Sequence, residues 1–286
     1  MNKPLAGLAV ASTIVALILA TQRETFSWVD AGGPKLRMLV SGYGSPAVVF
    51  DTGGSGSLKL WGKVPSEVSR FAKTVAYDRA GNGMSDKSIT LRDARHISTE
   101  LHMALRNANV LPPYILVGHS VGGLYARVFG GMYPEEVAGL VLVDPTQEQT
   151  QAWARKQGLT LAGPRECTVD DERSCEAETL AQAGESLVPP NVPVFLIHVM
   201  FPWGRHPFPS KDLDEIQKTQ MPRVAVRLKF HKEWVDQVPG AKLIITEKSS
   251  HGGINFEEPE LVVRTIVEAI EIARGMREQR HRPRKQ

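Results

Sequence analysis

Short apolar, β-branched runs alternate with longer amphipathic stretches along most of the chain. Gly32, Gly33 and Pro34 between the first two runs predict a hairpin. Strands separated by helices predict a mostly parallel sheet that is covered by helices on both faces. The runs that predict the eight strands are FSWVDAG, KLRMLVSG, PAVVFDTGG, FAKTVAYDRAG, YILVGHS, VAGLVLVDP, VPVFLIHV and AKLIIT.

Helical spacing of apolar residues marks the stretches between several of these runs. The stretch DARHISTELHMALRNANV predicts one helix, and EPELVVRTIVEAIEIARGMRE predicts a long amphipathic helix near the end of the chain. The segment of about 147–190 breaks the rhythm, because it is polar and helix-capable. We interpret it as a lid inserted into a single domain that covers residues 23–286.

The first 22 residues differ from the rest of the chain. Lys3 precedes an uncharged, mainly apolar run from Pro4 to Gln22. This pattern predicts a signal peptide or an N-terminal membrane anchor, since a buried helix of the domain would carry a polar stripe. The expected location is therefore periplasmic or extracellular, with membrane attachment through the N-terminus as the alternative to cleavage.

Charge and cysteine content narrow the function classes. The 286 residues include 34 Lys and Arg against 31 Asp and Glu, a net charge of +3, which gives no indication of a nucleic-acid partner. The only cysteines, Cys167 and Cys175, lie close together, and no neighbouring residues complete a metal-binding set. In an exported protein this spacing suits a local disulfide, whereas a cytosolic protein would keep two free thiols.

A serine stands between glycines where a predicted strand meets a predicted helix, in the sequence Gly118-His119-Ser120-Val121-Gly122. Flanking glycines remove Cβ clashes from a tight turn that exposes the central side chain. The helix that begins there offers free N–H groups and a favourable dipole for developing negative charge. The pattern therefore predicts that Ser120 is a nucleophile for attack on a carbonyl.

A serine nucleophile needs a base, and the base needs an acid to orient it. His251 follows the last predicted strand on a loop before the final helix, which puts it at the edge of the sheet where ligands bind. Asp144 ends the strand after the nucleophile helix and is the favoured acid, in the chain order serine, aspartate, histidine. Asp212 and Asp214, after the following strand, remain alternatives for the acid.

Two backbone amides are the expected donors to an oxyanion. One belongs to Val121, directly after the nucleophile, and the other to Gly54 in the loop TGGSGS, with Ser55 as the neighbouring option.

Four motifs together resemble the α/β-hydrolase superfamily, in particular its lid-bearing esterase- and haloperoxidase-like branch. They are GHSVGG at the serine, YDRAGNGMSD from Tyr77, GLVLVDP at Asp144 and SSHGGINFEEPELV at His251. The resemblance spans about residues 26–274. It implies the α/β-hydrolase fold and maps the catalytic serine, acid and histidine onto Ser120, Asp144 and His251.

This resemblance implies a serine hydrolase that cleaves a small-molecule carboxylic ester through an acyl-enzyme, without a metal or organic cofactor. A carbon–carbon bond hydrolase, an amidase, a haloperoxidase-like enzyme and a non-catalytic binding module are the alternatives. The chain departs from many relatives in two places: Thr52 and Gly53 replace the usual His-Gly, and the acid follows an earlier strand. The sequence leaves the acyl group, the alcohol and the oligomeric state open.

Overall fold

The computed structural model describes residues 25–158, 166–201 and 213–281. These residues form one sheet whose first two pairings, β1 with β2 and β2 with β4, are antiparallel. All other neighbouring strands are parallel, in the order β1-β2-β4-β3-β5-β6-β7-β8. The strands are β1 (Thr25–Asp30), β2 (Lys35–Ser41), β3 (Ala47–Asp51), β4 (Thr74–Tyr77), β5 (Tyr114–His119), β6 (Val137–Val143), β7 (Val194–Phe201) and β8 (Lys242–Ser250).

Helices connect the parallel strands, and single 3₁₀ turns lie at Leu58–Trp61 and Pro134–Glu136. The described α-helices are α1 (Val64–Val68), α2 (Ala94–Asn107), α3 (Gly122–Met132), α4 (Glu148–Lys156), α5 (Glu176–Glu185), α6 (Leu213–Gln237), α7 (Ile254–Glu257) and α8 (Pro259–His281). The Asp93 carboxylate caps α2 by accepting hydrogen bonds from the amides of Arg95 and His96.

Both faces of the sheet are buried, because alternate residues of each central strand enter opposite cores. In β5, Tyr114 and Leu116 pack with apolar residues of α2 and α3, whereas Ile115 and Val117 pack with those of α1 and α8. All six residues of β5 are buried. The strand that leads to Ser120 is therefore held rigidly from both sides.

The predicted mostly parallel, eight-stranded sheet is confirmed, and so is the hairpin of β1 and β2. The last strand continues to Ser250, four residues beyond the predicted run AKLIIT. The sequence analysis gave no range for the long helix α6, which covers residues 213–237. The segment predicted as a lid lies between β6 and β7 and contains α4 and α5.

One prediction concerns membranes. The predicted signal peptide or anchor, residues 1–22, lies outside the described residues and stays a prediction. Among the helices that the structure describes, none has the length and apolar character needed to cross a bilayer.

Candidate active site

Ser120 occupies a sharp turn between β5 and α3. Its φ is +56°, a left-handed conformation that costs a non-glycine residue about 1–3 kcal/mol. A Cβ on Gly118 would clash with the backbone of Gly122, and a Cβ on Gly122 would clash with the backbone carbonyls of Asp51 and Thr52. The flanking glycines are thus required by close backbone approach, and the turn presents the serine hydroxyl at the carboxyl edge of the sheet.

Three predicted side chains meet at this edge. Ser120 Oγ lies 3.0 Å from His251 Nε2, and His251 Nδ1 lies 2.5 Å from Asp144 Oδ2. Asp144 directly follows β6, and His251 directly follows β8. Parallel strands carry both residues to the same edge as Ser120, although 107 residues separate the acid from the histidine.

Asp144 is fully buried, and its carboxylate has several donors. Val199 N–H donates to Oδ1 at 3.1 Å, and Arg227 Nη2 lies 2.9 Å from Oδ2. Burial by itself would raise the pKa of the Asp144 carboxyl. The Arg227 guanidinium and the hydrogen bond from His251 outweigh burial and hold that pKa well below its usual range.

The ionised carboxylate determines the tautomer of His251. A carboxylate can only accept hydrogen bonds, so His251 Nδ1 carries the proton that is shared with Asp144. In the neutral ring, Nε2 is then an acceptor that faces the Ser120 hydroxyl. This arrangement can remove the hydroxyl proton during attack on a carbonyl.

Two backbone amides next to Ser120 remain available for an oxyanion. Within the described ranges, neither Gly54 N–H nor Val121 N–H donates a hydrogen bond to another residue. The two residues are neighbours in space, since a Cβ on Gly54 would lie 3.7 Å from Val121 Cγ1. Val121 is also the N-cap of α3, where the helix dipole favours negative charge.

His119 contacts His251. Its Nε2–H donates to the backbone carbonyl of His251 at 2.8 Å, and the two rings lie 4.9 Å apart. Burial and the nearby His251 lower the pKa of His119 to about 4, so the ring is neutral at physiological pH. The sequence analysis did not predict this bond between His119 and the His251 loop.

A buried histidine pair lies behind Asp144. His198 Nδ1 and His231 Nδ1 are 2.9 Å apart, and His231 Nε2–H donates to the Pro145 carbonyl at 3.0 Å. Ligand-type atoms of Asp144, His198 and His231 all lie within 4.8 Å of one another. The positive charge of Arg227 on the same carboxylate opposes a divalent cation there, so the geometry favours a hydrogen-bonded cluster.

These buried histidines make the fold sensitive to acid. Burial lowers the pKa of His198 to about 4 and of His231 to about 3, against about 6.5 in an unfolded chain. Below pH 6.5 the unfolded state binds protons that the folded state does not. Stability is therefore lost as the pH falls from about 6.5 towards 4, and each such histidine costs about 2 kcal/mol at pH 5.

We expect His231→Gln to reduce this loss, because glutamine still bonds its neighbours but does not titrate. Urea unfolding, followed by circular dichroism, should show a difference between pH 7 and pH 5 that is smaller by about 2 kcal/mol than in the wild type. Between pH 7 and pH 9 the offset between the two proteins should stay constant. Equal losses at pH 5 in both proteins would show that His231 does not become charged on unfolding.

Several predicted residues can now be located. Cys167 and Cys175 form a disulfide in the inserted segment. Of the alternative acids, Asp212 lies outside the described residues, and the side chain of Asp214 is not described either.

The sequence analysis missed the role of Arg227 beside Asp144 and of His231 behind it. Their i, i+4 spacing along α6 was the available signal, since residues so spaced share one face of a helix.

Comparison with known proteins agrees with the fold and the turn. The family model of the alpha/beta hydrolase fold matches residues 46–172, which include Ser120 and Asp144. The chain therefore has the α/β-hydrolase fold. The Bacillus subtilis protein YqjL is 33% identical over 98 residues, which cover 34% of this chain and 39% of YqjL. The chain thus spans less than half the length of this curated relative.

Solved structures share the fold over most of this chain. Carboxylesterase CesB from Bacillus subtilis has a TM-score of 0.54 and 18% identity, with 91% of this chain and 96% of that chain covered. A thermophilic esterase from Thermogutta terrifontis has a TM-score of 0.55 and 16% identity, with 87% and 99% covered. At this level of identity the likeness concerns the fold.

Proposed function

We propose that the protein is a serine hydrolase that cleaves small-molecule carboxylic esters. Ser120 Oγ attacks the ester carbonyl while His251 Nε2 takes the hydroxyl proton. The amides of Gly54 and Val121 stabilise the oxyanion of the tetrahedral intermediate. The histidine returns the proton to the departing alcohol, and an acyl-enzyme remains on Ser120. Water, activated by the same histidine, then releases the carboxylic acid.

The observation that carries this proposal is the continuous hydrogen-bonded chain from Ser120 through His251 to Asp144. Its two links are 3.0 Å and 2.5 Å, and the acid at its end is buried and ionised. A chain that serves only for binding has no need for a strained serine whose hydroxyl faces an acceptor nitrogen. Partial exposure of Ser120 and His251 leaves the site open to a substrate.

Esters are favoured over other substrates for two reasons. The site provides a nucleophile, a base and free amide donors, which suffice for acyl transfer from a good leaving group. The structural neighbours named above include a carboxylesterase and an esterase. Amide or carbon–carbon cleavage would use the same three residues, so only substrates can separate these reactions.

The test combines covalent labelling with turnover. A fluorophosphonate probe is expected to label the native protein at Ser120, as located by peptide mass spectrometry, and to leave heat-unfolded protein unlabelled. Short p-nitrophenyl esters should be hydrolysed with an initial burst when deacylation is slow. Labelling at another residue, or no labelling of folded protein, would contradict the proposal.

A panel of substrates then shows whether the protein cleaves esters or amides. We expect kcat/KM for p-nitrophenyl acetate and butyrate to exceed that for the matched p-nitroanilides by at least about 100-fold, since esters have better leaving groups. Faster anilide than ester turnover would replace the esterase with an amidase.

A further inference from the structure

The loop that carries Gly54 is held by a buried arginine. Arg79, which follows β4, donates to the Thr52 carbonyl from Nη1 and to the Gly53 carbonyl from Nη2, both at 2.8 Å. The side chain is only 1% exposed and is also paired with Asp51. Its guanidinium fork therefore fixes two successive peptide units of this loop.

The second of these peptide units contains the proposed oxyanion donor. Gly53 C=O and Gly54 N–H belong to the same planar peptide group and point in opposite directions. Because Arg79 holds the Gly53 carbonyl, it also fixes the direction in which Gly54 N–H points. A charged donor on the carbonyl further polarises the peptide and makes its N–H a stronger donor.

Glu172 completes the support of Arg79 from the inserted segment. Its Oε1 accepts from Arg79 Nε at 2.7 Å and from Asn82 Nδ2 at 2.8 Å, and its Oε2 accepts from Arg79 Nη2 at 2.9 Å. Burial would raise the pKa of Glu172, but the Arg79 guanidinium and the nearby backbone N–H of Ser55 lower it below the usual value. Glu172 thus contacts the arginine directly and lies close to Ser55 in the loop that the arginine holds.

The disulfide closes the short loop in which Glu172 lies. Cys167 and Cys175 are eight positions apart, and Glu172 lies between them. Cys175 is buried at the start of α5, while the carbonyl of Thr168, next to Cys167, accepts from Arg92 N–H at 3.2 Å. Both ends of the loop are therefore anchored, and the carboxylate between them is confined beside Arg79.

We infer that Arg79 and Glu172 are positioning residues for the oxyanion hole and that the Cys167–Cys175 disulfide keeps Glu172 in place for this role. The catalytic part of this inference rests on the proposed function. It predicts that the inserted segment supports turnover from outside the catalytic residues, through the orientation of one peptide group.

Glu172→Gln tests the positioning role, because it keeps the shape of the side chain but removes the charge and one acceptor. We expect kcat for p-nitrophenyl butyrate to fall between about 10-fold and about 100-fold, with KM within about 2-fold of the wild type. Glu185→Gln is the matched control. It lies in the same segment, its side chain is 69% exposed, and its ion pair with Arg95 is at the surface. It should behave like the wild type.

Turnover is expressed per serine that the fluorophosphonate probe titrates. A merely structural role would lower the titrated fraction and the thermal midpoint but leave kcat per titrated serine unchanged. Unchanged kcat per titrated serine in Glu172→Gln and in Glu172→Ala would overturn the positioning role.

Reduction tests the contribution of the disulfide. Dithiothreitol supplies two electrons and two protons, so that Cys167 and Cys175 become thiols and the reagent becomes a cyclic disulfide. We expect reduction to lower kcat per titrated serine in the wild type but to have little further effect in Glu172→Gln, because both changes act through one contact. Equal fold-losses on reduction in both proteins would show that the disulfide acts apart from Glu172.

Amide hydrogen exchange tests, without any catalytic readout, whether Glu172 and the disulfide hold the loop that carries Gly54. Peptides that cover residues 52–57 should exchange faster in Glu172→Gln and in the reduced wild type than in the oxidised wild type or Glu185→Gln. Unchanged exchange in this loop would overturn the inference that Glu172 and the disulfide hold it in place. A wild type that neither labels nor turns over would instead overturn the proposed function, and the exchange result would still stand.

Discussion

Ser120→Ala is expected to lower kcat for p-nitrophenyl ester hydrolysis by about a million-fold. Without Oγ no acyl-enzyme can form, and the remaining rate comes from water activated near the oxyanion donors. Substrate binding should change little, because the alanine leaves the rest of the site in place. Long incubations of purified protein with the ester, in which released p-nitrophenol is measured, give the residual kcat. Loss of fluorophosphonate labelling is the second measurement.

Two companion variants give this experiment its controls. Ser66→Ala removes another hydroxyl, which donates to the Lys63 carbonyl on an exposed surface, and should leave turnover intact. Ser120→Gly should be as inactive as Ser120→Ala but more stable to urea by about 1 kcal/mol, since glycine accepts a φ of +56° without strain. Wild-type turnover in Ser120→Ala would place the nucleophile elsewhere.

Asp144→Asn is expected to lower kcat by about 10,000-fold. The asparagine amide has one acceptor and one NH₂ group, whereas three donors, from Val199, Arg227 and His251, face this position. Arg227 and His251 both face the Oδ2 position, whereas Val199 faces Oδ1, so neither orientation of the amide satisfies all three donors. With NH₂ at the Oδ2 position, His251 accepts at Nδ1 and carries its proton on Nε2, where it cannot accept the proton of Ser120. With NH₂ at the Oδ1 position, it faces the Val199 N–H, and the neutral amide no longer stabilises the charged imidazolium.

The matched controls for this prediction are Asp212→Asn and Asp214→Asn, the alternative acids. Both should keep turnover near the wild-type value, and thermal unfolding should confirm that all three variants are folded. Near-normal kcat in Asp144→Asn, together with a large loss in either of the other two, would transfer the role of the acid to that residue.

Local sequence patterns were sufficient to predict most of the sheet and the turn at Ser120. Apolar runs bounded by glycine and proline predicted the strands, because a strand buried on both faces has no polar position to interrupt it. The turn at Ser120 was predictable for a similar reason: only glycines at 118 and 122 leave room for the backbones of α3 and of the loop after β3. His251 followed from its position after the last strand.

Local sequence patterns did not predict the range of the helix α6. Residues 224–230, VAVRLKF, alternate apolar with polar positions in part, so the pattern fits a strand as well as a helix. Only packing decides between the two, since the helix covers β7 and brings Arg227 and His231 against Asp144. The i, i+4 spacing of Arg227 and His231 indicates that they share one helix face, but not that this face meets Asp144.

The sequence by itself determined the order of the strands, the turn at Ser120 and the set of side chains available for chemistry. These depend on spacing along the chain and on steric limits that act over a few residues. The tertiary structure alone decided that Asp144 meets His251, that Arg227 keeps this acid ionised, and that Glu172 reaches Arg79 across 93 positions. Such contacts depend on which strand ends lie side by side and on how buried charges find partners, and neither is encoded in any short stretch.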